Sequence, residues 1–419
     1  KAIVESVCRY PAGLSPEFQA KRDEALARKA AKTEGLSPAQ PKNETGDWQD
    51  DLIKSPKGAI KNTFANICAI LRNAPEYERI RYNEMLLAPE NDGRPMADAE
   101  LGAMREAIEL RYGFSPGADS LSQALITVSS ERAHHPVREF LQGLNWDGVA
   151  RLDSVAQWYL GAEPSMINIT MLRAWFISAV ARAMDPGCKV DTALVLVGKQ
   201  GARKSGFFRT LGGVWFSDTA INLDSKDAYQ QLRGAWIYEW GEIEYITGRA
   251  HAGKVKAFVT SQTDSFRPPF MRALSIYRRS NVIVGSTNED QFLNDPTGSR
   301  RFWVVRVGDR IDLERLTRDT PQLWAEAVAA YRAGEAWWLT ADAESARALS
   351  SEDFAVADPW EGAIAQWIEG RNPMEKEKPI TTRKLLVDVL GMKLSDAGQG
   401  DSNRVASVMK RLGYRNHVA

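Results

Sequence analysis

A short apolar run followed directly by a glycine constrains the fold of this chain more than any other feature. The run is Thr192–Val197, which is rich in branched side chains and is followed by Gly198. Runs of this kind are typical of strands that are buried on both faces of a parallel sheet. Similar runs lie at Ala235–Tyr238 and Asn281–Gly285, with helical segments between them. The pattern therefore predicts an α/β layer.

The segment after the first run, Gly198–Ser205, has the sequence GKQGARKS. A phosphate-binding loop needs glycines whose backbone N–H groups turn inward, a lysine for the β- and γ-phosphates and a hydroxyl for Mg²⁺. A helix that begins near Lys204 adds its positive N-terminal end. The segment predicts a site for ATP and Mg²⁺, and its predicted contacts are Gly198, Gly201, Ala202, Arg203, Lys204 and Ser205.

One position of this loop departs from the usual pattern. The residue before the lysine is usually glycine, whereas here it is Arg203. A Cβ atom at this position crowds the approach of the backbone to a phosphate, although Gly201 offers some compensating freedom. The alternative interpretation is a glycine-rich turn between strand and helix, in which the Lys-Ser pair is incidental.

Acidic and amide side chains follow the second and third runs. Glu239 ends the second run, with Glu242 and Glu244 close behind, and Asn288 follows the third. A carboxylate at the end of a buried strand is costly unless it meets a metal or a cation. We assign Glu239 to Mg²⁺ and Glu242 to activation of the attacking water, although the two roles could be exchanged. The alternative is an exposed acidic turn, which is the interpretation of Glu244. Asn288 is a candidate for positioning that water, and an ordinary turn is the alternative.

Basic residues are dense in two segments. Residues 265–307 contain seven arginines against three acidic residues, and Arg300 and Arg301 follow a predicted turn. Such arginines stabilise a transferring phosphate in trans or follow a nucleic-acid backbone, and solvated surface side chains are the alternative. Residues 371–419 hold ten Lys/Arg and five Asp/Glu, with Lys410 and Arg411 at the end of the last predicted helix. That helix is a candidate phosphate contact, and a basic helix that only increases solubility is the equal alternative.

In their order along the chain, these motifs resemble the virulence-associated protein E family, whose ATPase belongs with the superfamily 3 helicases. The resemblance runs from about Ala133 to Val307. It rests on these phrases: His135-Pro136-Val137, Asn145-Trp146-Asp147-Gly148, Asp185-Pro186-Gly187-Cys188-Lys189 with Asp191, Gly198 to Ser205, Glu239-x-x-Glu242, Lys256-Ala257-Phe258, Asp264-x-x-Arg267, Thr287-Asn288, and Asp295-x-Thr297-Gly298-Ser299-Arg300-Arg301-Phe302.

The resemblance implies specific roles for these residues. Lys204 and Ser205 become the nucleotide and Mg²⁺ contacts, Glu239 and Glu242 the acidic motif, and Asn288 the sensor. Lys256 lies in the segment that such helicases use near DNA, and Arg300 or Arg301 becomes the finger that acts on a neighbouring subunit. Arg267 is a candidate nucleic-acid contact as one of the arginines of residues 265–307. Because the finger acts in trans, the implied active form is a hexameric ring. Family members resemble replication proteins of prophages and genomic islands, often with primase-type or polymerase partners.

The sequence therefore predicts an α/β protein with an AAA+/superfamily 3 helicase-like P-loop core. We expect an N-terminal helix and linker at 1–50, with the helix at 17–33, and a helical domain at 51–145. The core is expected at 146–340 and a winged-helix-like domain at 341–419, where three short helices are predicted from Pro359 onward.

Composition excludes several classes of protein. Lys plus Arg equals Asp plus Glu at 54 each, so net charge does not decide about a polyanionic partner. Apolar runs fall short of the roughly 18 residues of a membrane-spanning helix, and no secretory signal opens the sequence. The three cysteines lack a CxxC pair, which excludes a disulfide framework and a cysteine zinc site. We expect a cytoplasmic protein.

The predicted function is that of an ATP-dependent helicase or translocase that acts on single-stranded DNA or a DNA fork for a prophage or other mobile element. The alternative is a DNA-binding replication initiator or scaffold whose nucleotide site is weak or inactive, and Arg203 favours it. A nucleotide-dependent kinase or a packaging motor is a third possibility. The arginine-rich segment and the terminal helices argue against a small-molecule kinase, and less firmly against packaging.

Overall fold

The computed structural model describes residues 48–223, 225, 228–241, 243, 252–266, 275–293, 299–356, 358–372, 379–393 and 395–414. The predicted helix at 17–33 and the residues Glu242, Glu244 and Arg267 lie outside these ranges. The described residues form two compact units, one from 48–81 and 89–132 and the other from 82–88 and 133–414.

The first unit contains three helices around one apolar core, as the helical pattern of its sequence predicts. The helices are α1 (Phe64–Asn73), α2 (Asp98–Tyr112) and α3 (Ala118–Ser130). The sequence analysis missed the strands β1 (Ile80–Asn83), β2 (Ala88–Asn91) and β3 (Arg94–Pro95). Strands β2 and β3 pair antiparallel across Asp92-Gly93, both of which have positive φ. An Asp-Gly pair is a strong hairpin signal, so this turn was predictable.

The second unit is built on a parallel sheet. Its strands are β4 (Ala193–Val197), β5 (Phe216–Ser217), β6 (Ile237–Gly241), β9 (Val282–Thr287) and β10 (Phe302–Arg306), in the order β10-β4-β9-β6-β5. Strands β7 (Thr263–Phe266) and β8 (Ser275–Arg278) form a separate antiparallel hairpin. The three predicted strands are confirmed as β4, β6 and β9, and every pairing within the five-stranded sheet is parallel.

Helices cover this sheet. They are α4 (Pro136–Gln142), α5 (Val155–Trp158), α6 (Met166–Met184), α7 (Lys204–Gly212), α8 (Ala252–Thr260), α9 (Leu313–Arg332) and α10 (Ala341–Ser350). Helix α6 begins five residues before Met171, which was the predicted start of the helix. From Met171 to Ala183 it is almost fully buried. It packs against α9, where the ring of Trp324 lies 4.9 Å from Phe176 between centroids. The indole of Trp324 donates to the carbonyl of Leu211, so the large apolar side chain is buried without an unpaired N–H.

The C-terminal part of the second unit has its own small apolar core. Its elements are α11 (Pro359–Glu369), α12 (Thr382–Lys384), which continues as a π-turn at Leu385–Val389, and α13 (Gln399–Arg411). Ile364, Leu385 and Val408 are buried together there. The predicted helices are therefore present. No strand occurs among the residues described between 358 and 414, so the winged-helix assignment stays a prediction.

Within the described part of the chain, every helix is too short or too polar to span a lipid bilayer.

A buried acid on α9 anchors the segment that leads into the core. Glu326, which is 3% exposed, accepts hydrogen bonds from the backbone N–H groups of Arg151 at 2.6 Å and Leu152 at 3.0 Å. Its other oxygen lies 3.3 Å from Arg173. One carboxylate thus satisfies two backbone donors and a guanidinium in a buried setting.

We expect Glu326→Ala to lower the free energy of unfolding by about 2–4 kcal/mol, because it leaves two backbone N–H groups near the core unpaired. Chemical denaturation monitored by tryptophan fluorescence measures this change. Glu314→Ala, on the exposed first turn of the same helix, is the matched control and should cost less than about 1 kcal/mol. Equal effects of the two substitutions would contradict the anchoring role of Glu326.

Candidate functional site

The loop that follows β4 lies at the carboxyl edge of the sheet and leads directly into α7. Gly198 donates its backbone N–H to the carbonyl of Thr287, at the end of the neighbouring strand β9. Ala202 donates to the carbonyl of Lys199, and Gly201 has a φ of 85°. The helix begins at Lys204, as predicted. Strand, loop and helix therefore follow one another as the sequence pattern requires.

Residues 307–313, which we call the strap, cross the outside of this loop. Val307 donates its N–H to Val197 at 2.8 Å, and Ile311 donates to the carbonyl of Ala202 at 3.1 Å. A Cβ atom on Gly198 would lie only 2.7 Å from Cγ2 of Val307. The glycine is thus required by the space that the strap leaves. Sequence reasoning missed the strap, because no local pattern connects it to residues a hundred positions earlier.

Arg203 occupies a left-handed backbone conformation, with φ 70° and ψ 31°. An L-residue in this region costs roughly 1–2 kcal/mol, whereas glycine enters it freely. The customary glycine at this position is therefore explained by the backbone conformation, not only by crowding of a phosphate. The Arg203 side chain is exposed and forms no side-chain cap for α7.

The ammonium group of Lys204 lies within the curve of the loop. Its Nζ donates to the carbonyl of Gly198 at 2.6 Å and to the carbonyl of Lys199 at 3.0 Å. Lys199 itself is exposed, and its Nζ lies 2.8 Å from Asp309 of the strap. The positive charge of Lys204 is consequently positioned by the backbone of the loop that contains it.

Ser205 and Glu239 meet across the carboxyl edge. The Ser205 hydroxyl donates to Oε1 of Glu239 at 2.8 Å, and the glutamate is 2% exposed. Among the described residues, its Oε2 is buried and has no hydrogen-bond partner. Burial raises the pKa of Glu239, while the neighbouring hydroxyls of Ser286 and Ser205 act in the opposite direction. The structure therefore confines a buried carboxylate oxygen beside the start of α7.

A further ion pair lies close to this carboxylate and was not predicted. Arg209, one turn along α7 from Ser205, pairs with Asp218 at 2.7 Å, directly after the edge strand β5. Asp218 raises the pKa of Glu239 and Arg209 lowers it. Strand β5 has only two residues, so the sequence contains no apolar run that could have placed Asp218 at this edge.

The remaining predicted residues are not all at this edge. Asn288 is exposed and follows the end of β9 directly, beside the loop. Arg300 and Arg301 lie in a 3-10 turn that precedes β10. Because β10 runs parallel to β4, that turn is at the opposite, amino edge of the sheet. Glu242, the predicted base, lies outside the described residues.

The predicted nucleic-acid contacts lie on separate elements. Lys256 is half-buried on α8, and Lys410 is exposed near the end of α13. Arg411 ends that helix, and its side chain lies outside the description. Arg267 belongs to the undescribed segment between β7 and β8. None of the described contacts joins Lys256 or Lys410 to the loop.

The fold and the site define a class of protein: a mixed α/β chain in which a loop at the carboxyl edge of a parallel sheet faces a buried acid from another strand. Residues 141–356, just over half of the chain, match the model of the virulence-associated protein E-like domain. The chain therefore belongs to the family of proteins that carry this domain, as the resemblance of its motifs indicated.

Solved structures of the C-terminal region of NrS-1 are similar to this chain at a low level. An apo structure is 11% identical with a TM-score of 0.47, and covers 75% of this chain and 88% of the other. An apo structure of its A form is 12% identical with a TM-score of 0.42, and covers 80% and 91%. No curated protein matches the chain.

We expect Arg203→Gly to raise the free energy of unfolding by about 0.5–1 kcal/mol, because relief of the left-handed strain exceeds the added entropy of the unfolded chain. Chemical denaturation measures the change. Arg310→Gly is the matched control, since Arg310 is exposed and lies outside the left-handed region. It should lower stability by roughly 0.5–1 kcal/mol, so effects of the same sign would contradict the strain at position 203.

Proposed function

We propose that this chain is a P-loop ATPase that acts on single-stranded nucleic acid as a helicase or translocase in the replication of a prophage or other mobile element. The observation that carries the proposal is the contact between Ser205 and Glu239 at the carboxyl edge, with the ammonium of Lys204 in the adjoining loop. The hydroxyl and the ammonium follow the end of β4, and the acid lies on β6, two residues before that strand ends. Their meeting is the arrangement that hydrolysis of a Mg-bound triphosphate needs.

The donor set at this edge fits Mg²⁺. Carboxylate and hydroxyl oxygens are ligands that this ion takes, usually together with waters and substrate phosphates. Glu239 offers a buried oxygen that has no protein partner among the described residues, which would be costly unless a cation or water meets it. Ser205 and Glu239 would hold the ion, which supplies charge neutralisation at the β- and γ-phosphates.

Lys204 and the loop amides would bind the phosphates. The carbonyl contacts of Lys204 are neutral, whereas a phosphate oxygen gives a charge-assisted bond that is roughly twice as strong. A triphosphate can therefore draw the ammonium from Gly198 and Lys199 without leaving a buried charge unpaired. The positive end of α7 and the N–H groups near Gly201 and Ala202 add to the attraction.

The water that attacks the γ-phosphate needs an acceptor and a positioning group. We assign these roles to Glu242 and Asn288, respectively. Asn288 follows β9, the strand between β4 and β6, so it is adjacent to both the loop and the acidic strand. This placement supports a sensor role, since the amide follows the strand that separates the phosphate loop from Glu239.

The finger arginine would act on the nucleotide of a neighbouring subunit. Arg300 and Arg301 lie at the amino edge of their own sheet, a full strand length of about 15 Å from their own loop. This separation supports a role in trans. An oligomer that repeats one head-to-tail contact, a hexameric ring by analogy with the family, brings the two edges together.

The nucleic-acid contacts would come from Lys256, Arg267, Lys410 and Arg411, with the winged-helix-like end of the chain as an additional contact. Single-stranded DNA or a DNA fork in the cytoplasm is the proposed substrate, and a primase or polymerase the proposed partner. ATP hydrolysis would drive motion along a strand. ATP hydrolysis and nucleic-acid binding must therefore occur in one assembly.

We expect Lys204→Ala to lower Mg-ATP turnover by about 10- to 100-fold or more, because the phosphates lose a charged partner. Phosphate release, measured with and without single-stranded DNA, tests this. Lys189→Ala is the control, since Lys189 is exposed and away from the loop. DNA binding without turnover in the unmodified protein would favour the initiator or scaffold function, for which the left-handed Arg203 is the supporting observation.

The trans role of the arginine is tested by mixing two inactive variants. Arg301→Ala retains an intact loop and Lys204→Ala an intact arginine, so roughly a quarter of the interfaces in an equal mixture combine both. We expect ATPase activity to reappear on mixing. A mixture of Lys204→Ala with Ser205→Ala is the control, because both variants damage the same loop. Absence of recovery in the first mixture, with subunit exchange verified, would contradict the trans finger.

A further inference from the structure

A cavity of about 170 Å³ lies at the amino edge of the sheet in the second unit. It is lined by residues that precede β6 and β9 and by the β7–β8 hairpin, among them Leu232, Asn281 and Tyr277. Strand β9 separates this edge from the loop after β4 by roughly 20 Å. The cavity is therefore distinct from the proposed ATP site.

Two side chains that line the cavity carry buried polar atoms without partners. His135 is 3% exposed and Asn281 is 5% exposed. Among the described residues, Nε2 of His135 and Oδ1 of Asn281 have no hydrogen-bond partner. Each unpaired buried group costs about 1–3 kcal/mol. A ligand that forms hydrogen bonds with both atoms removes these two penalties, and this gain adds to its binding free energy.

The remaining atoms of these two side chains define what they offer. Nδ1 of His135 accepts the backbone N–H of Arg138, which leaves the ring proton on Nε2. Burial lowers the pKa of His135 to about 4, so the ring is neutral near pH 7 and Nε2 is a donor. Nδ2 of Asn281 donates to the carbonyl of Leu232, so its Oδ1 is an acceptor. The matching ligand offers an acceptor to His135 and a donor to Asn281.

Aromatic rings form another part of the lining. Phe266 and Tyr277, on the paired strands of the hairpin, lie 5.0 Å apart between ring centroids, and Tyr229 lines the cavity as well. Flat heterocycles stack on such rings. The volume is small compared with the roughly 300 Å³ and more of drug-sized sites, so a single base with its sugar outside is the suitable size.

The charges around the cavity favour an anion at its mouth. Asp264 is paired with the buried Arg279 at 2.5 Å, and Glu84 lies 3.4 Å from Arg138. These pairs leave Arg233, which donates to a carbonyl, and the exposed Arg278, for which no acidic partner occurs among the described residues. Guanidinium groups in such positions recognise phosphates.

We propose that this cavity is a second nucleotide site, which binds a nucleobase through His135 and Asn281 and the attached 5′-phosphate through Arg278 and Arg233. Every base presents both a donor and an acceptor, and these two side chains offer the complementary groups. Both atoms have almost no exposed surface, so a base reaches them only when side chains of the lining move. This site goes beyond ATP hydrolysis and does not depend on it.

The four deoxynucleoside 5′-monophosphates and a labelled single-stranded oligonucleotide are the probes. The probes are titrated by calorimetry into the Lys204→Ala protein, in which this substitution removes binding that depends on the phosphate loop. We expect at least one monophosphate to bind. His135→Asn, which keeps an acceptor for the Arg138 N–H and deletes the Nε2 donor, should weaken binding about tenfold, as should the isosteric Asn281→Leu. Arg278→Gln should weaken the nucleotide but not the uncharged nucleoside.

Arg94→Gln, an exposed arginine of the first unit, is the control and should leave binding unchanged. Competition identifies the source of the base: an oligonucleotide that displaces the monophosphate indicates a base of a strand, and its failure to do so indicates a free nucleotide. The proposal is overturned if nothing binds the Lys204→Ala protein. It is also overturned if folded His135→Asn, Asn281→Leu and Arg278→Gln proteins bind the probes as tightly as their parent.

Discussion

The chemistry of the candidate site depends on the parallel pairing of three central strands. Leu194 of β4 and Glu239 of β6 both pair with Val284 of β9, so the three strands are in step and end at one edge. The ends of β4 and β9 lead into the loop with Lys204 and the residues around Asn288, and β6 contributes the carboxylate of Glu239 two residues before its own end. A reversed strand would carry its group about 15 Å to the other edge. Strand direction therefore converts three separated motifs into one site.

The central part of the fold was predictable because it is buried on both faces. Strands β4, β6 and β9 are almost entirely buried and begin with apolar runs, and such runs have few alternatives to a buried strand. The edge of the sheet was not predictable in the same way, since β5 has two half-buried residues. The strap was not predictable either, because the contact of Lys199 with Asp309 joins segments whose sequences carry no common pattern.

The loop illustrates what a residue pattern leaves undecided. The phosphate-loop pattern has glycine at the positions of Gly198 and Arg203. It does not say whether glycine is needed there because a Cβ atom would clash or because the backbone has a positive φ. At Gly198 the cause is space, since Val307 lies where a Cβ would be placed. At position 203 the cause is a positive φ, which an arginine adopts at a cost. Only the long-range packing of the strap and the backbone angles distinguish the two causes.

The opposite positions of the loop and the candidate finger restrict how subunits can cooperate. Arg301 precedes β10 at the amino edge, and β10 is the neighbour of β4 in the sheet. A contact that brings this arginine to another subunit's loop must therefore join an amino edge to a carboxyl edge. Such a head-to-tail contact, repeated, closes into a ring or continues as a filament. The proposed finger thus requires a head-to-tail oligomer, of which the proposed ring is the closed form, because one sheet cannot place both groups at the same edge.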